Sequence, residues 1–561
     1  MLHRLLASLM LLFFVFSASL LFAQNNSERP SETPPIFNDL DKNGDGRLSR
    51  DELSNPALFE RMDANINGWV TLAEAQRWAQ RRAMRESGVE VSQNSDDSND
   101  GTVVYPPDPE AESTRRRLLE QVNDVTTGEK RPPNIVLILA DDLGYADTGV
   151  YGSTSIPTPH IDSLAAEGTR FTNAYVTAAS CSPSRAGLMT GCYQQRFGFK
   201  FNTSSGLITY QQYRGLDPTA VTLAEVLNKA GYVTGIFGKW HLGARPHFHP
   251  HSRGFDEFYG FLAGAHSFFP VLNEEPVYST IMRGRDAISE PEYLTDAIAR
   301  ETVRFINKHH DQPFFAYVPF NAVHTPIQAT PVYQERFPDV SDPKRRDYYA
   351  MTSALDDAVG KIIDVIDRQG ITRDTLIIFL NDNGGPIYTG VQSNGPLRLG
   401  KLFLFEGGVR VPMIIKWPGS VPPTTIFDGT VSSLDVFPTV CSAANIDLRK
   451  VVDFDGVDLL PFLSGDANGN PHQTLFWSNG PNVAVRSGDW KLIKSYNNAW
   501  LSNLAEDLGE ENNLATDRPE IVERLESELE GWKSEMHEPA WPSKPQRSKT
   551  PIDGMIYEMN I

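Results

Sequence analysis

The run from Ile135 to Ala140 is apolar at every position and ends on Asp141-Asp142. A strand with one wet face alternates polar and apolar residues. A strand without alternation has no wet face and belongs in a sheet covered on both sides, as parallel sheets are. Three further runs share this form: Tyr232 to Phe237 leads into Gly238-Lys239-Trp240-His241, Phe314 to Val318 leads towards His324, and Leu376 to Leu380 leads into Asn381-Asp382-Asn383-Gly384. Segments of helical period, Leu223 to Ala230, Tyr293 to His309 and Tyr348 to Arg368, lie among them. The expected fold is therefore α/β, with a large, mostly parallel central sheet flanked by helices. Such sheets gather their chemistry beyond the carboxyl ends of the strands.

The polar groups at those ends are specific. Asp141, Asp142 and Asp382 with the amide of Asn383 make an all-oxygen donor set, which suits Ca²⁺, or Mg²⁺, better than zinc. A second feature is Cys181-Ser182-Pro183-Ser184-Arg185, followed by Ala186 to Thr190 and a helix-stop Gly191. Proline is tolerated in a first helical turn, so Cys181 is expected at the positive end of a short helix, where anions are favoured. The chain has only three cysteines, Cys181, Cys192 and Cys441, which is no disulfide framework. A formal net charge of -20 argues against nucleic acid as a partner and requires any anion site to concentrate its positive charge locally.

Other parts of the 561 residues read as attachments. His3-Arg4, an apolar stretch and small residues up to Ala23 form a signal peptide (1–23), or a membrane anchor if it is not cleaved. This predicts a periplasmic or extracellular protein. Residues 34–85 carry two EF-hand loops. The first has Asp41, Asn43, Asp45, Ser49 and a closing Glu52 as oxygen ligands, with Arg47 offering its carbonyl and Gly46 the turn. The second has Asp63, Asn65, Asn67 and Glu74, with Trp69 at the carbonyl position, and should bind Ca²⁺ less tightly because two carboxylates are replaced. Leu48 and Val70 occupy position eight, where paired loops form a short two-stranded contact. Residues 86–131 are a polar linker with one short helix at Ser113 to Val122, whose Arg115-Arg116-Arg117 reads as a solvated face. The large domain spans 132–465, including a strand at Val411 to Trp417. A smaller α+β subdomain, 466–545, has short strands at Thr474 to Trp477, Asn482 to Arg486 and Lys491 to Ser495 and a helix from Arg518 to Trp532.

From Asn134 to about Trp532 the chain resembles a type I sulfatase of the alkaline phosphatase superfamily. The resemblance rests on Cys181-Ser-Pro-Ser-Arg185 with its Ala-Gly-Leu-Met-Thr-Gly continuation, on Ala140-Asp141-Asp142, and on Thr158-Pro159-His160-Ile161-Asp162. Gly238-Lys239-Trp240-His241-Leu242-Gly243, Asp382-Asn383-Gly384, and Gly400-Lys401 ahead of Glu406-Gly407-Gly408 complete it. The resemblance implies that a formylglycine-generating maturation enzyme oxidises Cys181 to formylglycine. One hydroxyl of its hydrate attacks sulfur as the alcohol leaves, giving a covalent sulfo-enzyme, and the second, deprotonated by His241, collapses to expel sulfate and restore the aldehyde. It implies Asp141, Asp142, Cys181, Asp382 and Asn383 around Ca²⁺, Arg185 and Lys239 orienting the formylglycine, and His324 and Lys401 binding sulfate and assisting the leaving oxygen. His160 and Cys192 depart from the family pattern outside this chemistry.

The implied substrate is a sulfated small molecule or glycan. Residues Arg245 to Arg253, His266 and Arg283 to Arg285 are candidates for the pocket mouth. Two other readings fit the same residues: a phosphate or phosphonate ester hydrolase of the same superfamily, and an inactive Ca²⁺-dependent binding protein.

Overall fold

The computed structural model describes residues 109–126, 131–203, 214–270, 280–448, 453–542, 545–553 and 555–560, with 42, 47–49 and 70–71. It divides into two units, residues 1–101 and 102–561. In the first, Arg47–Leu48 pairs antiparallel with Val70–Thr71, and the register sets Leu48 opposite Val70. Leu48 is buried. The expected ligands Asp41, Asn43, Asp45, Glu52, Asp63, Asn65, Asn67, Trp69 and Glu74 lie outside the described residues, as does the apolar N-terminal segment.

The second unit is built on a ten-stranded sheet. Its order across the sheet is Thr425–Phe427, Thr169–Phe171, Met413–Lys416, Thr375–Asn381, Asn134–Ala140, Phe314–Pro319, Val233–Lys239, Glu257–Phe261, Met282–Arg283 and Asp286–Ala287. The five strands from Thr375–Asn381 to Glu257–Phe261 run parallel. The strand expected at Val411 to Trp417 forms at Met413–Lys416 and runs antiparallel to its neighbour, so the sheet is mixed towards its edges.

Every residue of Asn134–Ala140 is buried, as its apolar run requires. Val136, Ile138 and Ala140 enter one core layer with residues of Pro159–Ala166, Leu294–His309 and Pro343–Arg368. Ile135, Leu137 and Leu139 enter the opposite layer with residues of Cys181–Thr190, Leu223–Lys229 and Val436–Ala443. Period-two alternation thus splits one strand between two cores.

Two helices start earlier than their apolar pattern suggests. Pro343–Arg368 begins ahead of Tyr348 because Pro343 fills the first helical position and the Asp342 side chain accepts from the N–H groups of Lys344 and Arg345. The helix expected at Ser113 to Val122 forms at Pro109–Leu119. Its basic triplet is not uniformly solvated: Arg115 Nε lies 3.0 Å from Glu225, whereas Arg116 and Arg117 are exposed.

Towards the C-terminus, Thr474–Asn479, Asn482–Ser487, Trp490–Ser495 and Asn498–Asn503 form an antiparallel meander. On one face Val485, Leu492 and Leu501 pack with Leu525, Leu529 and Trp532 of the helix Pro519–Lys533. On the other, Leu475, Trp477, Ala484 and Trp500 pack with Tyr175, Phe403, Leu404 and Phe405. A hairpin, Pro545–Ile552 with Met555–Asn560, follows.

Candidate active site

The carboxyl ends of the central strands deliver the reacting groups. Asp141 and Asp142 follow Asn134–Ala140, Asp382 and Asn383 follow Thr375–Asn381, and Lys239 is the last residue of Val233–Lys239. Asp142 and His241 both adopt left-handed backbone (φ 61 and 59), which bends the chain out of the strand direction at these ends. Cys181 is the first residue of Cys181–Thr190, and that helix stops at Gly191, whose φ of 67 suits glycine. Its capping residue, Ser180, makes no side-chain bond to the helix; the Asn202 side chain instead accepts from the Ser182 N–H at 2.9 Å in the first turn.

Contacts join these groups into one network. Lys401 Nζ lies 3.1 Å from Cys181 Sγ and 2.8 Å from Asp142 Oδ1. The Cys181 thiol is 3.7 Å from Asp141 Oδ1. Lys239 Nζ is 2.6 Å from Asp141 Oδ2. Arg185 donates to Asp382 Oδ2 from Nε at 3.0 Å and from an η nitrogen at 2.8 Å, and to the Lys239 carbonyl at 3.0 Å. His324 Nε2 stands 3.5 Å from Asp142 Oδ2 while its Nδ1 meets the Thr325 carbonyl at 2.6 Å. Asn383 Nδ2 donates to Asp142 at 2.7 Å. Ser182 and Thr203 hydroxyls both donate to the His241 carbonyl. Nine of the ten residues expected at the site are therefore linked through their side chains and His241 adjoins them through its carbonyl, while Arg185, Lys239 and Lys401 are buried rather than surface charges.

Burial and charge act against each other here. Burial raises the Asp141 carboxyl, but Lys239, His324 and Arg185 outweigh it and hold it below its usual range. Asp142 is held down in the same way by Lys401 and His324 against burial. Burial would lower Lys401, yet Asp142 and its neighbours keep it well above the usual lysine value, so it is an ammonium. The Cys181 thiol is pushed up to about 12, chiefly by burial and despite Lys239 and Lys401. His241 is driven well below its usual value by burial and then by Lys239, Arg185 and Lys401, which leaves a neutral imidazole. Its Nδ1 is buried with no hydrogen-bond partner.

The residues present fit a hard divalent cation. Asp141, Asp142, Cys181 and His324 each place a ligand atom within 4.8 Å of the others. Asn383 Oδ1 is buried with no partner, a lone acceptor beside Asp142 that a cation would satisfy. Histidine and thiol thus do join the carboxylates, because Cys181 and His324 come from elements far apart in sequence.

Some residues escaped the sequence reading. Gly264 gives His241 room, since a Cβ there would lie 2.5 Å from the imidazole Nε2. Tyr388, in the one-turn helix Ile387–Thr389, is 60% exposed and lies near enough to Lys401, Asp142 and Cys181 for their charges to bear on its hydroxyl, which places it at the rim. Two residues expected at the mouth serve the scaffold instead. Arg253 is fully buried, bonds the Leu216 and Ala220 carbonyls and faces Glu225. Arg283 pairs with Glu301 at 2.6 Å and lies over the Tyr259 ring.

Known proteins are similar to this chain in sequence and fold. A profile described as "Sulfatase" matches residues 133–446, and one described as "N-sulphoglucosamine sulphohydrolase, C-terminal" matches 398–535. N-acetylgalactosamine-6-sulfatase of Rattus norvegicus is 36% identical over 406 residues, 68% of this chain and 75% of its own. Arylsulfatase A of Homo sapiens is 36% identical over 391 residues, 64% of this chain and 74% of its own. Among solved structures, Ps i-CgsB superposes with a TM-score of 0.69 at 36% identity, covering 73% of this chain and 95% of its own; it has also been crystallised with k-i-k-neocarrahexaose. The profile, the relatives and the shared fold show that this chain belongs to the sulfatase family and is a sulfatase.

Proposed function

We propose that the chain hydrolyses a sulfate monoester on a carbohydrate, using a formylglycine made from Cys181 and a Ca²⁺ ion held by Asp141, Asp142, Asp382 and Asn383. The observation that carries this reading is the state of Cys181. It is buried beside Lys401 and Asp141 with its thiol pushed up to about 12, so as a cysteine it is a poor nucleophile at neutral pH. Oxidised and hydrated, the same position offers oxygen in place of sulfur, and the cation would neutralise charge on the sulfate oxygens.

The remaining work falls to the chain's own side chains. Arg185 and Lys239 fix Asp382 and Asp141 and so orient the groups around residue 181. Lys401, held as an ammonium, receives the anionic ester and can hydrogen-bond the departing oxygen. His241, neutral with a bare Nδ1, can accept a proton. His324 is lowered by burial and offers Nε2 to the anion while Nδ1–H is tied to the Thr325 carbonyl. Carbohydrate is the chosen substrate class because N-acetylgalactosamine-6-sulfatase and a neocarrahexaose-bound structure stand among the relatives, and because exposed Tyr388 offers a ring at the rim for a sugar face.

The N-terminal attachments belong to the same proposal. A signal peptide at 1–23 would take the protein to the periplasm or beyond, and the EF-hand pair at 34–85 would bind Ca²⁺ there. Mass analysis of the Cys181 peptide from the native source tests the central point: an aldehyde is expected, and an unmodified thiol in active enzyme overturns it. Parallel assays with aryl sulfate and aryl phosphate decide the ester class, and a preference for phosphate overturns the sulfate assignment.

A further inference from the structure

Asn394 lies outside every motif discussed above, yet its side chain joins the three turns that carry the chemistry. It is 5% exposed. Its Nδ2 donates to the Gly385 carbonyl at 2.7 Å and to the Leu399 carbonyl at 2.9 Å. Its Oδ1 accepts from the Gly385 N–H at 3.0 Å and the Tyr145 N–H at 3.3 Å. A primary amide has two donors and two acceptor lone pairs, so all four are used. Every partner is backbone, and each has one fixed role, so the amide can point only one way.

Its partners are placed tellingly. Tyr145 follows Asp142 by three residues, Gly385 follows Asn383 by two, and Leu399 precedes Lys401 by two. The Lys401 turn also carries strain: Leu399 and Leu402 have φ of 60 and 75, left-handed values that bulky side chains resist. Gly400 permits the close approach, because a Cβ there would lie 2.0 Å from the Gly385 carbonyl oxygen and 2.6 Å from Asn394 Nδ2. Two further bonds fasten the turn, Lys401 N–H to the Gly385 carbonyl at 3.3 Å and Leu402 N–H to the Ala179 carbonyl at 2.7 Å.

We propose that Asn394 is a positioning residue for sulfate ester hydrolysis, setting the separation of Lys401 from the Asp141-Asp142 and Asp382-Asn383 turns. This rests on the roles given to Lys401 and the carboxylates under the proposed function. With all four positions of its amide bonded to backbone, Asn394 has none left for substrate or cation; it holds the backbone from which they are met.

The test compares wild type, Asn394→Ala, Asn394→Ser and Lys401→Ala, all with residue 181 converted. It reads kcat and KM on an aryl sulfate, the inhibition constant of inorganic sulfate, and the melting curve. For Asn394→Ala, assayed well below its melting temperature, kcat is expected to fall about 10–100-fold and sulfate inhibition to weaken in parallel, the size found when groups supporting a site's ligands are removed. Asn394→Ser keeps one donor and one acceptor and should fall between. A merely structural role would lower the melting temperature and leave kcat per folded molecule and the sulfate constant within twofold of wild type, which overturns the proposal. If Asn394→Ala does not fold, Asn394→Ser decides by the same twofold criterion. Full activity in Lys401→Ala would instead overturn the site assignment itself.

Discussion

Cys181 is buried, neutral and 3.1 Å from an ammonium. Unconverted protein should therefore resist iodoacetamide at pH 8 while folded and react once unfolded, which the mass of the Cys181 peptide will show. Cys181→Ala should lose roughly 10³-fold or more in turnover, as loss of a covalent nucleophile does, with a melting temperature near that of wild type. Tyr388→Ala should raise KM for a sulfated oligosaccharide about 5–10-fold, equivalent to about 1 kcal/mol of ring contact, and leave KM for a small aryl sulfate nearly unchanged. Equal effects on both substrates would remove Tyr388 from sugar recognition. The residues that bear charge or a nucleophile were legible in the sequence, because motifs fix their chemistry. Asn394 and Gly264 were not, since an amide that bonds only backbone and a glycine that merely leaves room show their purpose only when distant turns come together.

At the level of elements, the parallel strands were the most legible feature. A run buried on both faces leaves one choice of sheet environment, and Asn134–Ala140 meets it at every position. Leu137→Ala should accordingly cost about 2–5 kcal/mol in denaturant unfolding, because the cavity opens at the centre of a packed layer. What the pattern could not give was direction and extent. Met413–Lys416 is as apolar as its neighbours yet runs antiparallel, and two helices begin on prolines ahead of their apolar stripe. Direction depends on connections across the sheet, and the first turn of a helix is set by capping rather than periodicity. The pairing of Leu48 with Val70 was anticipated from loop position alone.

Over the whole molecule, a second buried charge cluster joins the C-terminal meander to the short helix Glu406–Val409 and to Tyr175. Lys491 Nζ lies 2.9 Å from Glu406 and 3.3 Å from Glu510, and Tyr175 donates to Glu406 at 2.6 Å. Burial, with Glu406 nearby, pushes Glu510 up to about 7 despite Lys491. A carboxyl raised on folding favours the native state most while it stays protonated, below its unfolded value, and that favour is lost as pH rises through the folded value. Wild type should therefore lose melting temperature relative to Glu510→Gln between about pH 4.5 and about pH 7, by a few degrees. A difference that does not change with pH would contradict this. Chelation should abolish sulfatase activity and added Ca²⁺ restore it, a direct check on the proposed cation.

The turn carrying Lys401 is also fastened to the end of the chain. The Leu404 N–H donates to the Tyr557 hydroxyl at 2.9 Å, and Phe403 and Phe405 pack with that ring. Cys181 leaves the ribosome long before Tyr557 does. At roughly 5–20 residues per second, the intervening stretch takes on the order of tens of seconds to synthesise. During that interval the turn of Lys401, whose ammonium stands 3.1 Å from Cys181 Sγ in the folded chain, lacks the Tyr557 hydroxyl that later fastens it. The maturation enzyme proposed above would have that interval in which to reach Cys181.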